Sequence, residues 1–151
     1  MGVSVRYCFN REDAVEVVND GFIKIFNSIK SYSDDKPFVP WLRSIMINTA
    51  IDRRRKEMKF QLRVDIEQAS AMSHGIGVIE ALKAQDILKL LEQLPPVQAM
   101  IFNLYEIDGY SHDEIAAMLK LSPSSSRVYL TRAKEKLRNL LTNDQTHGRA
   151  V

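Results

Sequence analysis

Ser124, Ser125, Arg127, Thr131, Arg132 and Lys134 bring hydroxyls and cations together over successive turns of what reads as one helix. The chemistry they suit is recognition of a polyanion. Near a helix N-terminus such side chains reach phosphate oxygens and base edges, and the helix dipole favours negative charge. Lys136 and Arg138 prolong the positive stripe. A second basic run, Asp52-Arg53-Arg54-Arg55-Lys56, follows an apolar stretch, with Lys59 and Arg63 beyond it. Acidic groups gather elsewhere, at Glu12, Glu16 and Asp20 beside Asn19. Nothing comparable supports catalysis. His74, His112 and His147 are scattered, without partners at metal-ligand spacing, and Asp34-Asp35 sits in a polar stretch. No glycine-rich phosphate loop or nucleophile elbow is present. The expectation is a protein that is not an enzyme and needs no cofactor.

Composition sets the frame for those clusters. The chain has 151 residues, 45% of them apolar and 26% charged, which suits one ordinary soluble domain or two small ones. Its 21 basic and 19 acidic residues nearly cancel, so only their placement carries information. The single cysteine, Cys8, excludes an intrachain disulfide and fits a reducing cytoplasm. No apolar run approaches the roughly 18 residues of a membrane span, and the start lacks the pattern of a signal peptide.

The elements that must hold the clusters are all helical, because no stretch alternates with period two. Asn10 is placed to cap a helix running to Ile29, with Ala14, Val17, Val18, Phe22, Ile25, Phe26 and Ile29 as its apolar stripe. Ser31 to Pro37 ends it. The next helix buries Trp41, Leu42, Ile45, Met46, Thr49, Ala50 and Ile51, then enters the basic run. From Gln61 to Gly77 the pattern loosens into a linker. Leu82, Ile87, Leu90, Leu91 and Leu94 mark a helix stopped by Pro95-Pro96, and Val97, Met100, Ile101, Leu104 and Tyr105 a further one stopped at Asp108-Gly109. Ser111-His112-Asp113-Glu114 has the form of a capping box, and Ile115, Ala116 and Leu119 line the short helix behind it. Ser122-Pro123 opens the last helix, with Ser126, Leu130, Ala133, Leu137 and Leu141 facing inward. Two short helices joined through Lys120-Leu121-Ser122 have the layout of a helix-turn-helix. A helical hairpin with a merely solvated basic face would share many of these residues. The capping box, the short turn and the serine-arginine cluster favour DNA.

Taken together, the two halves resemble a known family. Asn10-Arg11-Glu12-Asp13-Ala14 through Asp20-Gly21-Phe22, then Phe38-Val39-Pro40-Trp41-Leu42 and Asn48 through Arg55, resemble region 2 of extracytoplasmic-function sigma factors. Leu94-Pro95, Gly109-Tyr110-Ser111, Glu114-Ile115-Ala116, Leu121-Ser122 and Thr131-Arg132-Ala133 resemble their region 4. The resemblance implies an all-α protein of two small helical domains, a region 2 bundle and a region 4 helix-turn-helix, joined by a flexible linker. Its implied limits are 1–60, a linker over 61–80, 81–143, and a tail over 144–151.

The implied function is to bind core RNA polymerase and direct promoter recognition and transcription initiation in the cytoplasm. Asp13, Glu16, Val17, Asn19 and Asp20 would contact polymerase, an acidic face suiting a basic partner. Trp41, Asn48, Asp52, Arg53, Arg54, Arg55 and Lys56 would hold the −10 element, since unstacked bases need a ring or an amide and their backbone needs cations. Phe38 and Trp41 could instead be plain core residues, the reading favoured for Trp41. Ser33 to Phe38 would form the pocket for a flipped base. Ser124, Ser125, Arg127, Thr131, Arg132 and Lys134 would read the −35 duplex, Arg127 at a base edge and the others mainly at phosphates, with Ser126 lying further inward. An anti-sigma factor is a further implied partner. Two other readings of the same residues are a helix-turn-helix regulator that recruits no polymerase and a helical adaptor.

The sequence departs from the family's pattern at three places. Lys120 stands where a glycine commonly makes a left-handed turn, a cost of roughly 1 kcal/mol if that conformation is kept. Val128 and Tyr129 replace a polar pair in the recognition helix. The family has another helix ahead of the residues matching Tyr7 to Asp13, and without it Val17, Phe22 and Phe26 would be exposed.

Overall fold

The computed structural model describes the backbone of residues 6–8, 10–66 and 89–147, and the side chains of 6–8, 10–55, 58 and 89–142. Every regular element among them is helical. The chain divides into two compact units, Met1–Glu57 and Met58–Val151.

In the first unit, α1 spans Arg11–Ser28. Asn10 caps it: its Oδ1 accepts the Asp13 amide at 2.7 Å, satisfying a donor the helix itself cannot. Glu12 and Asp13 occupy the first turn, where the helix dipole favours them. The buried line is Ala14, Val17, Gly21 and Ile25, one residue per turn. This corrects the expected stripe, because Phe22, Phe26 and Ile29 are 50%, 73% and 41% exposed. Burial follows the side of α1 that meets the next helix. At Gly21 the two helices come close enough that a Cβ would overlap the Met46 sulfur. Val17 is fully buried, so the exposure expected of it is confined to Phe22 and Phe26.

A 3-10 turn, Ile29–Ser31, and a short loop lead to α2, Phe38–Ile66. Ile47, Thr49, Ala50 and Ile51 are buried, while Trp41, Leu42, Ile45 and Met46 are half-buried. Ile47 was not expected inside; it lies one turn before Ala50 and Ile51 on the same buried side of α2. The linker expected from Gln61 begins as six residues of helix, 61–66, and its remainder lies outside the described residues.

After the end of α2, the second unit is described again from Lys89. Leu90, Leu91 and Leu94 are buried ahead of Pro95, and Pro96 opens α3, Pro96–Phe102, at the position where a missing amide costs nothing. The chain then widens into a π-helical turn, Asn103–Ile107, closed by the Asp108 amide donating to the Asn103 carbonyl at 3.0 Å. Gly109, with φ +75°, supplies the left-handed residue that ends it. The helix expected from Val97 to Tyr105 is thus one element with a widened second half.

Helix α4 spans His112–Leu119 and α5 spans Pro123–His147. Helix α5 packs against both α3 and α4. Its inner face is Ser126, Tyr129, Leu130, Ala133 and Leu137, all buried. Each buried leucine contributes about 1.5–3 kcal/mol relative to exposure, so this face anchors the helix. Tyr129, which with Val128 replaces a polar pair of the recognition helix, is 4% exposed and belongs to the core.

Candidate nucleic-acid interface

The outer start of α5 is built by its N-cap. Ser122 Oγ accepts the Ser125 amide at 3.1 Å and lies 2.8 Å from both the Ser124 and Ser125 hydroxyls. Pro123 follows at the first helical position, where it has no amide to satisfy, and the Ser124 and Ser125 hydroxyls gather around the Ser122 cap. Because 124, 127, 128 and 131 recur at helical spacing opposite the buried 126, 130, 133 and 137, they share one exposed face. Arg127 is exposed there, and Thr131 is exposed with its hydroxyl donating to the Arg127 carbonyl at 3.0 Å. Ser124 is exposed, and Ser125 and Arg132 are half-exposed at the sides. Lys134 is not a free cation: its ammonium meets Glu106 Oε1 of the π-helical turn at 2.6 Å. Ser126 lies fully inward, as expected.

The turn that aims α5 has two fixed points. The first is the capping box of α4. Glu114 Oε2 accepts both the amide and the hydroxyl of Ser111 at 2.8 Å, and the Glu114 amide returns to Ser111 Oγ at 3.3 Å. Those donors, the Ser111 amide first, hold the Glu114 carboxyl below its ordinary pKa. The second is Lys120, which ends α4 in the left-handed conformation, φ 57° and ψ 48°. There the amides of Lys120 and Leu121 both close onto the Ala116 carbonyl.

His112 adds a link that sequence reasoning missed. Its Nδ1 lies 2.9 Å from the buried Ser126 hydroxyl, and its ring stacks on Tyr105 at 4.4 Å with planes 23° apart. Helix α4, the π-helical turn and α5 therefore meet at one imidazole. Burial, then the cations of Arg127 and Lys134 against the opposing Asp113, lowers the His112 pKa. A neutral ring can accept the Ser126 proton at Nδ1. No local spacing marks a pair fourteen residues apart.

In the first unit, the structure brings two of the expected groups into contact. The Arg53 guanidinium pairs with Asp13 Oδ1 at 3.0 Å and also with Glu16. Arg55 pairs with Asp52 at 3.0 Å, and Lys24 reaches the same carboxylate at 3.4 Å. Asn48 is exposed. Arg54 departs from expectation: it is 8% exposed, and its guanidinium donates to the Tyr7 carbonyl at 3.2 Å. Burial removes it from any outer basic surface. The Lys56 side chain lies outside the described residues. Val17 is buried, so of the expected protein-contact set only Asp13, Glu16, Asn19 and Asp20 present groups outward.

Trp41 sits in an aromatic cluster. Its ring centroid is 4.9 Å from Tyr32 and 5.7 Å from Phe38, and Tyr32 and Phe38 meet edge-on at 5.3 Å. The Tyr32 hydroxyl donates to the Lys36 carbonyl, closing the loop that carries Ser33 to Phe38. Phe38 is 44% exposed, so the cluster has an open side. Tyr32 carried no signal of its own in the sequence, since it lies in the irregular segment between two helices.

Comparison with known proteins bears on both units. Residues 1–60 match the family model described as Sigma-70 region 2, and residues 84–137 match Sigma-70, region 4. The ECF RNA polymerase sigma-E factor of Escherichia coli (strain K12) is 28% identical over 140 residues, covering 84% of this chain and 73% of that one. RNA polymerase sigma factor CarQ of Myxococcus xanthus is also 28% identical, over 141 residues covering 93% and 81%. Among solved structures, the sigma factor RpoE of Bartonella quintana, crystallised with the anti-sigma factor NepR, superposes with a TM-score of 0.61 at 22% identity. That match covers 93% of this chain and 88% of the other. CnrH, in complex with the cytosolic domain of CnrY, gives 0.54 at 24% identity over 94% and 79%. With both sigma regions matched in order and such relatives over most of its length, this chain belongs to the extracytoplasmic-function sigma factors of the sigma-70 family.

Proposed function

We propose that the chain's two halves divide promoter recognition as follows, with limits at 1–60, 61–80 and 81–143. The exposed face of α5, carrying Ser124, Arg127 and Thr131 beside Ser125 and Arg132, enters the major groove of the −35 duplex. That face is the observation that carries the reading: hydroxyls and a free guanidinium gathered at a capped helix start whose opposite side is wholly buried. Arg127 reads a base edge, and the hydroxyls and Arg132 position the helix on phosphates. Lys134, tied to Glu106, contributes mainly to the field around the groove.

Region 2 receives the −10 element on Asn48, Asp52, Arg53, Arg55 and Lys56, with the open side of the Tyr32, Phe38 and Trp41 cluster available to a base. Arg54 supports the surface from within. The acidic face of α1, Asp13, Glu16, Asn19 and Asp20, docks on a basic element of core RNA polymerase. An anti-sigma factor competes for these surfaces, as a partner of that class occupies a structural neighbour. No described helix is long and apolar enough to cross a membrane. In this reading the protein works in the cytoplasm as a transcription factor, without an enzymatic reaction.

Run-off transcription is the test. Core RNA polymerase with this protein should yield a discrete transcript from a promoter pool, and core alone should not. Equal output with and without the protein would reject the proposal. Binding should also fall by orders of magnitude between low and physiological salt, as phosphate contacts require.

A further inference from the structure

On the outer face of α5 one residue differs in kind from its neighbours. Val128 is apolar and 39% exposed, yet it lies between Ser124 one turn before it and Thr131 and Arg132 one turn after it. Arg127 precedes it and is exposed; Tyr129, Leu130 and Ser126 are all buried. Val128 therefore stands at the middle of the polar face. Its isopropyl group can neither donate nor accept a hydrogen bond.

The major groove presents donors, acceptors and one apolar group, the 5-methyl of thymine. A branched aliphatic side chain at the centre of a groove-facing helix matches that group alone. We propose that Val128 is a specificity-determining residue that reads the methyl of one thymine in the −35 element. The inference rests on the reading that α5 enters the major groove. It adds a base chemistry that the hydroxyls and guanidinium around it do not supply. Arg127 selects by hydrogen bonding, and Val128 selects by excluding water from a methyl that cytosine, adenine and guanine lack.

The experiment removes the methyl and nothing else. Holoenzyme, made from core RNA polymerase and the full chain, first selects duplexes from a random-sequence pool. The selected duplex is then remade with deoxyuridine replacing each thymidine of its upstream element in turn. Binding is measured for holoenzyme carrying the unaltered chain and for Val128→Ala, a substitution on an exposed position that leaves the buried face intact.

At one thymidine, deoxyuridine should weaken binding of the unaltered holoenzyme about fourfold, the worth of one methyl withdrawn from water. Val128→Ala should lose a similar factor on the thymidine duplex and show no further loss on deoxyuridine there. If no single methyl matters by more than twofold, the inference fails while groove binding stands. Equal deoxyuridine sensitivity in Val128→Ala would also overturn it, since the effect would then belong to the DNA. If the holoenzyme selects duplexes whose upstream sequence is random, α5 does not read the groove, and both the reading and the inference fall.

Discussion

Replacing Lys120 by glycine should make the second unit more stable, although it removes a side chain. Lys120 is the non-glycine residue with positive φ among the described residues, at φ 57° and ψ 48°. A Cβ in that conformation crowds the following carbonyl and costs about 1–2 kcal/mol. Glycine removes the clash but returns about 0.4–1 kcal/mol by loosening the unfolded chain. The net gain is then about 0.5–1 kcal/mol, and each kilocalorie moves the midpoint of a small domain by roughly 4–8 °C. The amide bonds that close this turn, from Lys120 and Leu121 to the Ala116 carbonyl, are main-chain and survive the change. Thermal unfolding of the full chain followed by circular dichroism should therefore show the transition of Lys120→Gly at higher temperature. Lys120→Ala is the informative control, because it removes the charge and keeps the Cβ. If Lys120→Ala gained as much as Lys120→Gly, side-chain repulsion rather than backbone strain would be the cause, and the reasoning would be wrong.

Acid should weaken the same unit through His112. Its folded pKa lies below the ordinary 6.5, so the unfolded chain binds more protons; stability should fall as pH drops through about 6.5 and stay level well above it. Denaturant midpoints across this range should show that slope, and His112→Gln should flatten it. Glu114→Ala should cost about 1 kcal/mol by opening the capping box, with Glu114→Gln recovering part of it in the same unfolding assay. Arg127→Ala should cost about 1–3 kcal/mol of DNA binding and relax preference at one base pair, whereas Lys134→Ala should weaken all sequences alike. Identical behaviour of these two variants across a panel of duplexes would remove Arg127 as a base reader. Reversing charge at Glu16 and Asp20 should weaken capture of core polymerase while leaving helicity unchanged, and undiminished capture would count against α1 as the docking face.

The parts of this fold that were legible in advance are those set by near neighbours in the chain. Asn10 with Asp13, Ser111 with Glu114, and Ser122 with Ser125 each lie three residues apart, so capping could be read directly. Ser126, Leu130, Ala133 and Leu137 on the inner face of α5 followed from the same arithmetic of helical turns, which left out Tyr129. Contacts that depend on which side of a helix finds a partner were less legible. On α1 the apolar residues cover more than one face, and periodicity alone cannot say that Gly21 rather than Phe22 meets α2. The approach of Met46 decides it. Arg54 shows the same limit: in a run of three arginines, only the turn of α2 over Tyr7 tells the buried one from its exposed neighbours.

Function was legible for a related reason. A groove-reading face would need residues at helical spacing beside a capped start, and that pattern is local, so Ser124, Ser125, Arg127, Thr131, Arg132 and Lys134 stand out in the sequence itself. The geometry then altered their weights. Glu106 takes Lys134, Asp13 and Glu16 take Arg53, and Arg127 keeps an exposed guanidinium. An arginine already held by two carboxylates must exchange those partners to meet a phosphate, and the exchange returns less than a free cation's new contact would. Arg127 therefore offers the larger differential interaction on binding DNA. Val128 and Tyr129 make the same point from the apolar side. Adjacent in sequence and both out of place in a polar helix, they separate once α5 packs: the ring fills the core, and the isopropyl group is left exposed on the outer face.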